Sequence, residues 1–176
     1  MDRRLPIALI IDTCLTNARG KLPHMNRLEK WSKDGVIYIY ATDVIQKEAE
    51  KGGDTLGRKA WSRVGLVTPP LSADDWKLWN EIAAIVFPRG VLTDSQRNDV
   101  QTLYTTKKFG AILVTNDGGS KSQPGGILGH AKELWEKLRI RVMRDSEAVN
   151  MVGEEIAERD ARERRMAVLK RRPLAE

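Results

Sequence analysis

Four short apolar runs constrain this chain most: residues 5–11, 36–41 (VIYIYA), 110–115 (GAILVT) and 140–143 (IRVM). A strand with one wet face alternates apolar and polar residues, and these runs barely alternate. They read as strands buried on both faces, the condition of a parallel sheet covered by helices. Helical patterns fill the gaps. Residues 25–32 follow the first run after a breaker-rich loop. Residues 42–51 follow the second, with Thr42 or Asp43 as N-cap and Gly52 as stop. Over 72–87, Trp76, Trp79, Ile82, Ala83 and Val86 recur at helical spacing, and Pro88 and Gly90 end the pattern. Thr93 opens the next helix with Gln96 as capping-box partner, and its apolar stripe is Val100, Leu103 and Tyr104. Residues 127–138 read as one further helix. Strand–helix alternation of this kind predicts an α/β doubly wound domain.

Beyond that domain, about residues 146–172 form a charged helical pattern with sparse apolar positions: Met151, Ile156, Met166, Val168 and Leu169. The expected division is therefore a domain over 1–145 and a charged C-terminal helix or tail over 146–176. Read plainly, the tail is a solvated helix. Its arginines could also meet phosphates, although Glu154, Glu155, Glu158 and Glu163 dilute them.

The chain has 176 residues, enough for one domain with a self-sufficient core. At 41% hydrophobic and 31% charged residues, it is not collagen-like, low-complexity or wholly disordered. A net charge of +6 suits a polyanionic partner. The single cysteine, Cys14, excludes an internal disulfide framework and fits a reducing compartment. The first apolar run falls far short of the roughly 20 residues needed to span a bilayer. It is also too short for a secretory leader, because Asp12 ends it. The expectation is a soluble, cytoplasmic protein with no membrane partner.

Carboxylates at strand ends carry the chemistry. In an open parallel sheet, ligands bind beyond the carboxyl ends of the strands. Asp12 directly follows the first run, and Asp117 follows the GAILVT run by one Asn. Glu48 sits in the helix after the second run, and Asp99 near the start of the helix that leads into GAILVT. With the first and fourth of the four strands adjacent at the sheet centre, these four acids can converge on one pocket. Converging carboxylates repel and resist desolvation unless a cation joins them. Oxygen donors without His or Cys favour Mg²⁺ or Mn²⁺ over Zn²⁺. Such an ion activates water and offsets phosphoryl charge, the chemistry of phosphodiester cleavage. Each acid also has a plain structural use: Asp12 as a loop cap, Glu48 as a surface charge, Asp99 as a helix-dipole partner and Asp117 as a turn residue.

The segments IALIIDT, DVIQKEAEKG and, above all, DVQTLYTTKKFGAILVTND (residues 99–117) resemble the PIN-domain nucleases. The resemblance spans about residues 5–143. It implies a three-layer α/β/α sandwich with a central parallel sheet, and a metal-dependent nuclease acting most often on RNA; the expected activity is that of an endoribonuclease. It implies Asp12, Asp99 and Asp117 as Mg²⁺ or Mn²⁺ ligands, with Glu48 assisting. Thr115 and Thr13 become supporting residues beside the acids. The chain departs from the family in carrying Cys14 where many members have Asn, and in adding the Trp-rich helix and the basic tail. Cys14 is expected to pack as a small apolar residue. Trp-rich helices often cover interfaces, so a homodimer is a further reading; an antitoxin partner is another, in keeping with the resemblance.

For nucleic-acid contact the candidates are Arg58, Lys59 and Arg63 around Trp61, and Lys121 in the glycine-rich loop beside Asp117. The alternative to an enzyme is a PIN-like nucleic-acid-binding module with little or no catalysis. A phosphoacceptor receiver-like domain fits poorly, because it needs paired acids at the first strand and only Asp12 stands there.

Overall fold

The computed structural model describes residues 4–15, 21–51, 65–67, 69, 72, 75–90, 92–118 and 125–170. Arg58, Lys59, Arg63 and Lys121 lie outside the described residues, as does the side chain of Glu48. The sheet has five strands: β1 (Ala8–Ile11), β2 (Tyr38–Ala41), β3 (Gly65–Leu66), β4 (Ile112–Val114) and β5 (Arg141–Met143). Their spatial order is β3-β2-β1-β4-β5, and all pairings are parallel. The helices are α1 (Pro23–Lys33), α2 (Asp43–Lys51), α3 (Asp75–Val86), α4 (Asp94–Lys108), the short α5 (Gly126–Gly129), α6 (Ala131–Leu138) and α7 (Asp145–Lys170). They flank the sheet in a PIN-like α/β/α arrangement.

β1 is the centre of the sheet. From it the chain winds outward through β2 to β3, then returns to the other side of β1 as β4 and continues to β5. The winding direction therefore reverses between β1 and β4, and an α/β sheet opens a ligand crevice at such a reversal. The fourth expected strand is not the neighbour of the first. The GAILVT strand intervenes, because Leu9, Ile10 and Ile11 pair with Ile112, Leu113 and Val114. Leu9, Ile10 and Leu113 are fully buried, which explains why those runs lack polar alternation.

α4 begins as expected. The Thr93 Oγ1 accepts from the Gln96 N–H while the Gln96 Oε1 accepts from the Thr93 N–H. Val100, Leu103 and Tyr104 are buried on its inner face. Gly110 then turns the chain into β4 with φ +58°, a conformation side-chain-bearing residues rarely adopt. At the far end of the same helix, Lys108 Nζ donates to Asp75 Oδ1 at 2.8 Å, tying the end of α4 to the start of α3. Ser72 donates to the other oxygen of Asp75. The Lys108 ammonium first, and then the Ser72 hydrogen bonds, hold the Asp75 carboxyl far below the usual carboxylate range.

Several details differ from the sequence expectation. Trp76 belongs to the helix but not to its buried stripe. It is 50% exposed, whereas Trp79 is 9% exposed, and the two rings meet edge to face at 5.6 Å. The inner face is instead Asp75, Trp79, Ile82, Ile85 and Val86. Residues 127–138 form two helices rather than one, broken at Gly129–His130. β3 went unread because two residues carry no period. Gly65 is required there: a Cβ would meet the Tyr40 ring at 2.7 Å. The charged tail is helical, yet its first turns belong to the core through Ala148, Val149 and Val152. Among the described residues, no helix is long and apolar enough to cross a membrane.

The two tryptophans separate core from surface. Trp79→Ala is expected to cost about 3–5 kcal/mol, as for a buried aromatic truncation. Trp76→Ala is expected to lose little more than the ring–ring contact, about 0.5–1.5 kcal/mol. Urea unfolding of both variants measures the difference.

Candidate functional site

The parallel pairing of β1 with β4 builds the site. Ile11 lies beside Val114, and the register continues one step past both strands, where the Asp12 N–H donates to the Val114 carbonyl at 3.0 Å. Asp12 and Thr115 therefore stand abreast at the carboxyl edge. The Thr115 Oγ1 donates to Asp12 Oδ2 at 2.6 Å. The same hydroxyl accepts from the Asp117 N–H at 2.9 Å, so one buried side chain orients both acids. On the other side, the Thr13 N–H donates to Asp12 Oδ1 at 2.6 Å, and the Leu15 N–H donates to the Asp12 carbonyl at 3.0 Å. These bonds close a 3₁₀ turn over Thr13–Leu15. Thr13 thus supports Asp12 through its backbone.

Asp117 is anchored by the short helix α5. Its Oδ2 accepts from the Ile127 N–H at 3.1 Å, and its carbonyl accepts from Leu128 N–H at 3.4 Å. The Ile127 contact had no sequence signal, because it joins Asp117 to α5 across a glycine-rich loop.

Cys14 contradicts the expectation of simple apolar packing. The residue is exposed, and its Sγ lies 3.4 Å from Asp12 Oδ2, 3.6 Å from Thr115 Oγ1 and 3.4 Å from the Asn116 nitrogen. Desolvation of the sulfur and the Asp12 charge push the thiol up to about 11, so it is a protonated donor at neutral pH rather than a nucleophile.

Asp99 reaches the same edge by a different route. The buried hydroxyls of Thr42, immediately after β2, and Thr102 in α4 meet at 3.4 Å. α4 runs from the carboxyl edge of the sheet back to the start of β4, so its N-terminal turns lie beyond the strand ends. Asp99 precedes Thr102 by three residues on the same helical face, half-buried. Thr42 also caps α2, accepting from the Ile45 N–H at 3.3 Å. The backbone of Glu48 lies in the second turn of that helix.

The structure thus brings Asp12, Thr115 and Asp117 together and sets Asp99 and the backbone of Glu48 on helices that start at the same edge. Among the described residues, no three His, Cys, Asp or Glu side chains form a ready-made ion site. The electrostatics of the closest pair nevertheless fit a cation. Burial is the largest influence on Asp12 and raises its pKa. The hydrogen bonds from Thr115, Thr13 and Cys14 oppose that rise, and the Asp117 charge adds to it. A desolvated carboxylate beside a second one, both with hard oxygen donors, is the chemistry that Mg²⁺ or Mn²⁺ relieves.

Comparison with solved structures follows this geometry. VapBC2 from Rickettsia felis, solved bound to a DNA fragment from its promoter, matches with TM-score 0.50 and 14% identity over 78% of this chain and 98% of that one. VapBC-1 from nontypeable Haemophilus influenzae matches with TM-score 0.50 and 13% identity over 80% of this chain and 99% of that one. The fold is PIN-like. At such identity the likeness speaks to the PIN-like fold alone. No family model matches the chain, and no curated protein matches it.

The raised pKa of Asp12 has a thermodynamic sign. A carboxyl that holds its proton better in the folded than in the unfolded state loses stability as pH rises from the unfolded value, about 4, through the folded one. Asp12→Asn is therefore expected to raise the Tm of chelator-treated protein at about pH 7, with the gain vanishing toward about pH 3. Thermal scans across that range test it, and a lower Tm for the variant at neutral pH contradicts it.

Proposed function

We propose that this protein is a Mg²⁺- or Mn²⁺-dependent nuclease that hydrolyses phosphodiester bonds in RNA, cutting internally. The observation that carries the reading is the coupling of Asp12 and Asp117 through Thr115 at the β1–β4 reversal of a PIN-like fold. Asp12, Asp99 and Asp117 would hold the ion, with Glu48 assisting from α2. When bound, the ion supplies an activated water at neutral pH and positive charge against the developing phosphoryl charge. The chain's own residues prepare the edge. Thr115 and the Thr13 N–H fix both Asp12 oxygens, so the carboxylate need not reorganise. The Ile127 N–H fixes Asp117. Arg58, Lys59, Arg63 and Lys121 are the proposed contacts to substrate phosphates, and the net charge of +6 supports a polyanion outside the acidic edge. A cytoplasmic location and an antitoxin partner belong to the same proposal.

One observation favours a second reading. No ready-made three-ligand site exists among the described residues. A PIN-like module that binds nucleic acid with little or no catalysis needs no such site.

Cleavage assays separate the two. Wild type, Asp99→Asn and Thr115→Ala are incubated with single-stranded RNA, tRNA and single-stranded DNA, each with Mn²⁺, Mg²⁺ or chelator. The enzyme reading predicts metal-dependent cutting of RNA, abolished in Asp99→Asn and reduced about 10–100-fold in Thr115→Ala, the range for residues that orient ligands. RNA binding without cutting by folded wild type supports the module instead.

A further inference from the structure

We propose that a second copy of this chain docks antiparallel along α7, pairing the acidic first half of one helix with the basic second half of the other. α7 and α1 start together, with His24 Nδ1 3.6 Å from Asp145 Oδ1. They run side by side as far as Gly153, where a Cβ would touch the Trp31 ring at 4.0 Å. α1 ends at Lys33, whereas α7 continues to Lys170. At 1.5 Å per residue, the helix extends roughly 25 Å past the Trp31 contact. Every residue from 162 to 169 is exposed. An isolated projecting helix of this kind gains little from its own hydrogen bonds, and most helical stability in proteins comes from packing a face.

The charge distribution says what covers it. Residues 145–158 carry Asp145, Glu147, Glu154, Glu155 and Glu158 and no Lys or Arg. Residues 159–170 carry Arg159, Arg162, Arg164, Arg165 and Lys170 against Asp160 and Glu163. Such a helix is its own complement when a copy runs antiparallel, and repels a copy that runs parallel. Glu155, Glu158, Arg162, Arg165 and Leu169 follow one another at alternating three- and four-residue steps and so share one stripe of the helix. A twofold axis at Asp160 sets Glu155 against Arg165 and Glu158 against Arg162, each contact made twice, and brings the exposed Leu169 up to Met151, which is half-buried against its own chain's core. Leu169 is 57% exposed and Met166 50%, apolar surface that suits a helix rather than a phosphate backbone. α7 also starts at the carboxyl edge and runs away from it, so its basic half is remote from the Asp12–Asp117 site. These features favour a second copy over nucleic acid as the occupant.

The test is a charge swap in the full chain. Glu155→Arg/Glu158→Arg makes the whole seam basic, and Arg162→Glu/Arg165→Glu makes it acidic. Sedimentation equilibrium is expected to show a wild-type dimer that weakens with salt. Each double variant alone is expected to dimerise more than about tenfold less tightly, since like charges meet. An equal mixture of the two is expected to restore the dimer as a heterodimer, because every pair is again opposite in sign. Circular dichroism checks that the variants remain folded. A monomeric wild type, or variants that dimerise as wild type does, overturns the proposal. So does a mixture that stays monomeric. Loss of RNA binding in the acidic variant with no change in self-association assigns the helix to nucleic acid and likewise overturns it.

Discussion

The backbone pairing of β1 with β4 is the constraint on which the rest depends. Ile11 beside Val114 is a matter of sheet register, and a one-residue slip would turn every side chain of β4 to the opposite face. With the register as it is, Thr115 arrives next to Asp12, and a 2.6 Å hydrogen bond joins a residue of the first strand's end to one 103 positions later. The hydrophobic core supplies the force that fixes this register. Leu9, Ile10, Leu113 and Val114 are shut away from water, and their close packing holds the pair in this alignment.

The core and the acidic edge thus stand in opposition. Apolar burial pulls the strand ends together, and in doing so it draws the Asp12 carboxylate out of water and toward a second one. Polar support reduces the cost without removing it. Thr13, Thr115 and Cys14 donate to Asp12, yet burial still raises its pKa. Asp75 shows the contrast. That carboxylate has Lys108 and Ser72 as donors, its pKa falls, and it serves to join two helices. The same residue type is stabilised at one end of α4 and left with residual electrostatic strain beyond the other.

Much of the fold was legible because its elements are strongly patterned. Four of the five strands stand out as uninterrupted apolar runs, and Thr93 with Gln96 marks the start of α4 to the residue. What escaped has physical reasons. β3 is two residues long and depends on Gly65 fitting beneath the Tyr40 ring, a tertiary contact with no local signature. Trp76 follows the helical period of its neighbours, but hydrophobicity does not distinguish the rim of a stripe from its centre. Strand order is equally non-local, so the neighbour of β1 is settled only by the fold. In the site, Asp12 and Asp117 were readable from their positions after apolar runs, whereas the Ile127 anchor and the placement of the Cys14 sulfur arise only when distant segments close on each other. Asp99 and Glu48 occupy helices at the expected edge, and Arg58, Lys59, Arg63 and Lys121 fall outside the described residues.

The central claim, that the coupled acids form a cation site, is tested most directly by anomalous diffraction from crystals soaked in Mn²⁺, for wild type and Asp12→Asn. The expected result is an anomalous peak between the Asp12 and Asp117 carboxylates in the wild type and none at that position in the variant. A wild-type crystal with no peak there at saturating Mn²⁺, or a peak that persists unchanged in Asp12→Asn, would contradict it.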